Sequence, residues 1–198
     1  MEDLKDDQKD VVAYVLDRVQ KWMDVGNEYE PLRLTVCGEA GSGKSLMVQT
    51  LVAVLRTMFG TTDSVVVCGP TGSSAYCAGG RTIHSFFGLP MKSKFARLSD
   101  ALRGRLMKKL AGTVALIVDE RGMVSSEVLS VMENNARQTA HGGLGAECDW
   151  GGIPIVIFVG DDYQLPSIES GAFDAAPNLP LHLKPDDNVD AATILHRV

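Results

Sequence analysis

The stretch Gly38-Glu39-Ala40-Gly41-Ser42-Gly43-Lys44-Ser45 constrains this chain more than any other eight residues. It matches the pattern GxxxxGK[ST] in full. The short apolar run Leu32–Cys37 precedes it, and Ser45–Phe59, apolar at helical intervals, follows. Strand, glycine-rich loop and helix form the context in which such a loop can work. Its glycines let backbone N–H groups curl around phosphate oxygens, and the helix beginning near Lys44 adds the positive end of its dipole. In this pattern Lys44 reaches the β- and γ-phosphates of a nucleotide, and the Ser45 hydroxyl binds Mg²⁺. Without a ligand the same residues are a glycine-rich turn.

The rest of the chain repeats the alternation. Short apolar runs at Val65–Cys68, Val114–Val118 and Ile153–Val159 predict further strands, and Gly60 is placed to close the helix at Phe59. Helical spacing marks Tyr14–Met23, Val124–Ala136, and the series Phe95, Leu98, Leu102, Leu106, Leu110. His141–Gly152, with five glycines in twelve residues, reads as a loop. Strand alternating with helix predicts an α/β domain whose mostly parallel sheet carries helices on both faces. At 198 residues the chain fits one domain, or one plus a fragment. The stretch after Pro177 is rich in Pro and Asp and has no period. The longest uncharged apolar stretches are about half the length needed to cross a bilayer, so no membrane partner is expected. Cys37, Cys68, Cys77 and Cys148 show no metal-ligand spacing, and the polar, acidic N-terminus is unlike a targeting segment. Both fit a reducing, intracellular setting: nucleus or mitochondrion in a eukaryote, cytoplasm in a bacterium or virus.

Three more segments carry chemistry. Asp119-Glu120 follows the run Val114–Val118, so both carboxylates emerge at a strand's C-terminal end, which faces the ligand crevice in open α/β sheets. Asp119 is placed to hold Mg²⁺, and Glu120 to orient or deprotonate an attacking water. Gly160-Asp161-Asp162-Tyr163-Gln164-Leu165-Pro166 leaves a strand in the same way; Gln164 could contact the γ-phosphate and report its loss, or the segment is a turn with proline. Gly69–Leu89 offers Thr71, Ser73, Ser74, Thr82, His84 and Ser85, groups suited to phosphates, with Phe86 and Phe87 nearby for stacking on a base. The alternative makes both phenylalanines core and His84 structural. Charge is segregated: the chain totals −6, yet residues 81–109 hold eight basic side chains (Arg81, Lys92, Lys94, Arg97, Arg103, Arg105, Lys108, Lys109) against Asp100 alone. Such a block is either a solvated helix face or a phosphate-backbone contact.

Taken in order, these segments resemble the first motor domain of RecD-like superfamily 1 DNA helicases, most closely the petite-integration-frequency (Pif-type) group. Leu4-Lys5-Asp6-Asp7-Gln8 resembles that family's adenine-reading motif, with Gln8 the ligand; GEAGSGKS resembles motif I. GPTGSSAYCAGGRTIHSFFGLP resembles motif Ia and its extension, LIVDERGMVSS motif II, and GGIPIVIFVGDDYQLPS motif III. The resemblance implies a RecA-like P-loop NTPase fold over residues 1–176, with 177–198 starting a connection to a second RecA-like domain. It implies ATP and Mg²⁺ as cofactors and single-stranded DNA as partner, travelled 5′ to 3′ by a monomer. Site residues follow: Lys44, Glu120 and Gln164 for catalysis; Gln8 and Gly38, Glu39, Ala40, Gly41, Ser42, Gly43, Lys44, Ser45 for the nucleotide; Ser45 and Asp119 for the metal. Thr71, Ser73, Arg81, Thr82, His84 and Phe86 are then the DNA contacts. Three departures stand out. Arg121 and Gly122 replace the family's usual apolar residue and serine after the acidic pair, Ser167 replaces a proline, and the second motor domain is expected beyond residue 198, outside these residues. A nucleotide- or DNA-binding module without unwinding activity therefore remains the alternative.

Overall fold

Aliphatic, β-branched runs build the sheet. In the computed structural model, which describes residues 3–26, 30–77, 79–89, 98–139 and 148–161, the strands are β1 (Leu32–Cys37), β2 (Val65–Gly69), β3 (Arg81–Thr82), β4 (Ala115–Val118) and β5 (Ile155–Gly160). Their spatial order is β1-β5-β4-β2-β3, and every described pair is parallel. β4 and β5 are buried at every residue, which is why they read as continuous apolar runs.

Alternation along each strand divides the core in two. Val65, Val67, Ala115, Ile117, Ile155 and Ile157 face α1 (Asp6–Val25) and α2 (Lys44–Phe59). Val66, Cys68, Leu116, Val118, Val156 and Phe158 face α4 (Ile83–Phe87), α5 (Asp100–Leu110) and α6 (Ser126–Thr139). Helices thus cover both faces, as expected for the α/β class.

Element boundaries moved where local hydrogen bonding outweighs periodicity. α1 starts at Asp6, well before Tyr14, because Asp6 and Asp7 suit its N-terminal dipole and the Gln8 side chain accepts the Lys5 N–H at 3.0 Å. α5 starts after Ser99, whose hydroxyl accepts the Leu102 N–H; Phe95 lies outside the described residues. β5 begins at Ile155, after Pro154, which has no N–H to give the ladder; the Pro154 carbonyl accepts the Leu32 N–H as the first rung to β1. Gly69–Leu89, read as one loop, holds α3 (Gly72–Cys77), then β3 and α4. Of the expected loop His141–Gly152, the described part is a 3₁₀ turn at Asp149–Gly152. Among the described residues no helix is long and apolar enough to cross a membrane. The stretch 177–198 lies outside them.

Candidate nucleotide and nucleic-acid site

The glycine-rich loop leaves β1 at the sheet's C-terminal rim and enters α2 through Gly43, in the left-handed region at φ 91°. Only glycine adopts that conformation without strain. It meets a second requirement there, since a Cβ on Gly43 would stand 2.5 Å from Gln8 Nε2. Gln8 is buried, and its Nε2 donates to the Ser42 carbonyl at 2.7 Å while its Oε1 accepts from Lys5 N. The side chain therefore pins α1 to the loop. Lys44 lies back along the loop, its Nζ donating to the carbonyls of Gly38 (2.6 Å) and Glu39 (2.8 Å). Ser45 is exposed on the first turn of α2.

β5 separates β1 from β4, so three strand ends converge. The Gly38 N–H donates to the Gly160 carbonyl at 3.1 Å, joining the loop to the last residue of β5. On β4's far side, Asp119 N donates to the Cys68 carbonyl of β2 at 2.8 Å. Asp119 is buried, and its Oδ1 accepts the Glu120 N–H at 2.9 Å. Burial pushes its carboxyl above the usual value, opposed by that hydrogen bond and by the charge of Lys44. Glu120 sits at φ 52°, ψ 46°, a left-handed conformation that costs a non-glycine residue on the order of 1–3 kcal/mol. The strain falls on the residue expected to handle the water. Asp161 is buried beside them, whereas Asp162–Pro166, including Gln164, lies outside the described residues.

Arg121 was not foreseen as part of this junction. Its stem crosses Gly160, where a Cβ would meet Arg121 Cγ at 2.6 Å, and its Nη2 donates to Cys37 Sγ at 3.3 Å. It is buried despite its charge, linking the ends of β4, β5 and β1. A Cβ on Gly122 would lie 3.5 Å from the Asp161 carbonyl, an ordinary contact, so packing alone does not demand glycine at that position.

The hydroxyl-rich segment occupies the adjoining rim, at the ends of β2 and β3. Thr71 Oγ1 lies 3.0 Å from both Ser73 Oγ and Ser74 Oγ and accepts the Ser74 N–H. Thr82 caps α4 by accepting the Ser85 N–H at 3.2 Å. Ser73 and Arg81 are exposed, and His84 is half-buried. Phe86, expected among the DNA contacts, follows the alternative instead: it is 5% exposed, edge-to-face with Phe87 and packed in the α4–α5–α6 core, with Lys109 Nζ 5.1 Å over its ring. The exposed aromatic on this rim is Tyr76, at 86%. Its signal in the sequence was the helical spacing from Ser73: Ser74 and Ala75 turn inward while Ser73 and Tyr76 turn out.

Residues 3–176 match the profile described as PIF1-like helicase. The chain is 34% identical over 134 residues to the ATP-dependent DNA helicase PIF1 of Saccharomyces cerevisiae strain YJM789, an alignment covering 66% of this chain and 15% of that protein. Among solved structures, it superposes on Pif1 helicase from Candida albicans with a TM-score of 0.63 at 27% identity, covering 86% of this chain and 35% of that one. Bacteroides Pif1 helicase, solved in complex with ADP-AlF3 and single-stranded DNA, gives a TM-score of 0.61 at 25% identity, covering 84% of this chain and 34% of that one. The chain thus spans about a seventh of that relative and about a third of the solved chains. With the phosphate loop, the acidic pair and the β2–β3 rim on one parallel sheet, and a profile match over nearly its whole length, the chain belongs to the PIF1-like helicase family and has the RecA-like fold of Pif1 helicase domains.

Proposed function

We propose that this chain is the ATP-binding first motor domain of a DNA helicase that moves 5′ to 3′ on single-stranded DNA. The carrying observation is the shared rim: the phosphate loop, Asp119-Glu120 and Gly160 meet at the ends of β1, β4 and β5, and the hydroxyl rim follows on β2 and β3. Backbone N–H groups of Gly41–Lys44 receive the phosphates, and Lys44 swings from its own loop carbonyls to the β- and γ-oxygens. Gln8 is expected to read the adenine while it holds Ser42. The donor set fits Mg²⁺. That ion is usually held by one or two carboxylates plus phosphate oxygens and water, and the single buried carboxylate of Asp119, whose electrostatic neighbours include Lys44, with the Ser45 hydroxyl one residue on, would be such a set. Bound there, the ion would neutralise charge on the phosphates. Glu120 orients the water, and Gln164 carries the state of the γ-phosphate toward the DNA rim. Thr71, Ser73, Arg81, Thr82 and His84 line the track, with Tyr76 in place of Phe86 as the stacking group. A second RecA-like domain supplies the arginines, worth roughly 10³–10⁵ in rate for phosphoryl transfer.

The test is steady-state ATP hydrolysis with and without single-stranded DNA. The isolated chain should bind nucleotide and turn over well below about 10 s⁻¹, the level of a typical complete enzyme. In a chain extended by a second motor domain, Lys44→Ala or Glu120→Gln should abolish the DNA-stimulated rate. Normal turnover by either variant refutes the assignment. Gly122 favours one rival, a binding module that does not unwind DNA, because no hydroxyl stands there beside the acidic pair. DNA-stimulated ATPase without strand separation by the extended chain supports that rival.

A further inference from the structure

Below the proposed track, on the flank of the sheet, lies a cavity of about 400 Å³. β3 pairs only with Cys68 and Gly69, so the edge of β2 along Val65–Val67 has no described strand beside it. That edge forms the cavity floor. One wall is Gly79-Gly80, whose backbone lies against the Val67 carbonyl so closely that a Cβ on Gly80 would collide with it. Four cations surround the opening: Arg56 at the end of α2, Arg81 on β3, and Lys108 and Lys109 at the end of α5.

Cations at helix C-termini have an ordinary explanation, since they complement the dipole. It does not cover this group. Arg81 lies on a strand, and Lys109 turns inward with Nζ 5.1 Å above the Phe86 ring. Among the described residues no carboxylate lies within ion-pair distance of Arg56, Arg81, Lys108 or Lys109. The acid on the lining is Asp63. Arg56 Nη2 donates to the Val65 carbonyl at 3.2 Å, while its buried Nε has no hydrogen-bond partner. Burial lowers the Lys109 pKa and the neighbouring charges of Arg81 and Arg105 lower it further, against a smaller opposing contribution from Cys68. In a chain of net charge −6 this is a local concentration of cations around a space that can admit a phosphate.

We propose that the cavity is a second phosphate-binding site, taking a backbone phosphodiester of the nucleic-acid strand that lies on the β2–β3 rim. The proposal rests on the reading of that rim as a strand-binding surface. Arg81 joins the two, belonging to the rim by sequence and to the cavity by position. The contact is electrostatic and blind to sequence, since Arg and Lys neutralise phosphates without reading bases.

The experiment uses the full 198-residue chain. Its amide spectrum is followed by NMR during titration with a short oligothymidylate and, separately, with inorganic phosphate at the same phosphate concentration. Gly79 and Gly80 report the cavity, Thr71 and Thr82 the rim. Oligothymidylate should shift all four amides, and inorganic phosphate should not shift Gly79 and Gly80 comparably. In Lys108→Gln/Lys109→Gln the cavity shifts should vanish, and the slope of log K against log[salt] should flatten by about 0.7, one phosphate of a single strand. Shifts at Thr71 and Thr82 without Gly79 and Gly80 overturn the cavity site and leave the rim reading intact. Shifts at Gly79 and Gly80 alone support the cavity site and count against the rim. Equal cavity shifts with inorganic phosphate overturn the strand as ligand. Silence at all four amides overturns both readings, while binding of a fluorescent ATP analogue separately tests the phosphate loop. The wild-type titration decides the matter even if the double variant does not fold.

Discussion

Gln8 and Gly43 make one packing unit, and a double-mutant cycle measures it. Gly43→Ala incurs two costs. A non-glycine residue in a left-handed conformation loses about 1–2 kcal/mol, and the new Cβ, 2.5 Å from Gln8 Nε2, forces that amide off the Ser42 carbonyl. The lost hydrogen bond adds about 1 kcal/mol, for a total of about 2–3. Gln8→Ala removes the Ser42 bond and the cap on Lys5 N together, about 2 kcal/mol. In the double variant there is no amide left to displace, so Gly43→Ala then costs its backbone strain alone. The double variant should be about 1 kcal/mol less destabilised than the sum of the singles. Urea or guanidinium unfolding, with the midpoint and slope compared across the four proteins, reads this directly. Strict additivity would refute the idea that Gln8 is held by contact with Gly43. A Gly43→Ala protein as stable as wild type would refute the strain assignment as well.

The other predictions are briefer. Tyr76→Ala should weaken single-stranded DNA binding by about 1–3 kcal/mol, with Tyr76→Phe close to wild type in fluorescence anisotropy; an unchanged affinity removes Tyr76 from the track. Phe86→Ala should instead lower stability by about 3–5 kcal/mol in denaturant unfolding, as a core truncation does. Burial raises the Asp119 pKa above 3.8, so the folded chain binds that proton more tightly than the unfolded one and stability falls as pH rises through the window. Asp119→Asn, free of Mg²⁺ and nucleotide, should therefore melt higher than wild type at neutral pH. The gap should narrow on acidification toward pH 4, and a variant that melts lower at neutral pH contradicts the assigned cause. Gly122→Ser should fold with stability within about 0.5 kcal/mol of wild type, since the added Cβ meets the Asp161 carbonyl at an ordinary distance.

The sheet was legible because β2, β4 and β5 are buried at every residue and such strands read as continuous apolar runs, while β1 keeps Leu32, Leu34 and Val36 buried around Arg33 and Thr35. The phosphate loop was legible for a related reason: its glycines answer a backbone need that few other sequences meet. The β2–β3 rim was less so. α3 and α4 are too short to show a period, and their caps come from Thr71, Ser74 and Thr82, hydroxyls that also read as ligands. Whether Phe86 turned inward and Tyr76 outward could not be read for that reason, since a few residues of helix decide it. Arg121 was beyond the sequence altogether. Its burial depends on Cys37 and Gly160, far away in the chain, and a charged residue following an acidic pair reads as surface.

Those distant contacts bear on how the two rims communicate. Backbone hydrogen bonds tie the strand exits in sequence: Gly38 to Gly160 across β1 and β5, and Asp119 to Cys68 across β4 and β2. Between them the interior is filled by Ile117, Ile157, Leu116 and Val156, all buried, and a close-packed core transmits displacement rather than absorbing it. The sheet itself is therefore a fixed frame, and change on nucleotide binding must fall on the segments that leave it. Gln8 restrains the phosphate loop from the α1 side, and Arg121 restrains the β4 exit by crossing Gly160 to Cys37. Glu120 sits between these restraints in a strained backbone conformation. Relaxing Glu120 would have to move Arg121, and Arg121 touches the ends of both β1 and β5. Glu120 is thus mechanically joined, through Arg121, to the end of β1 where the glycine-rich loop begins and to the exit of β5.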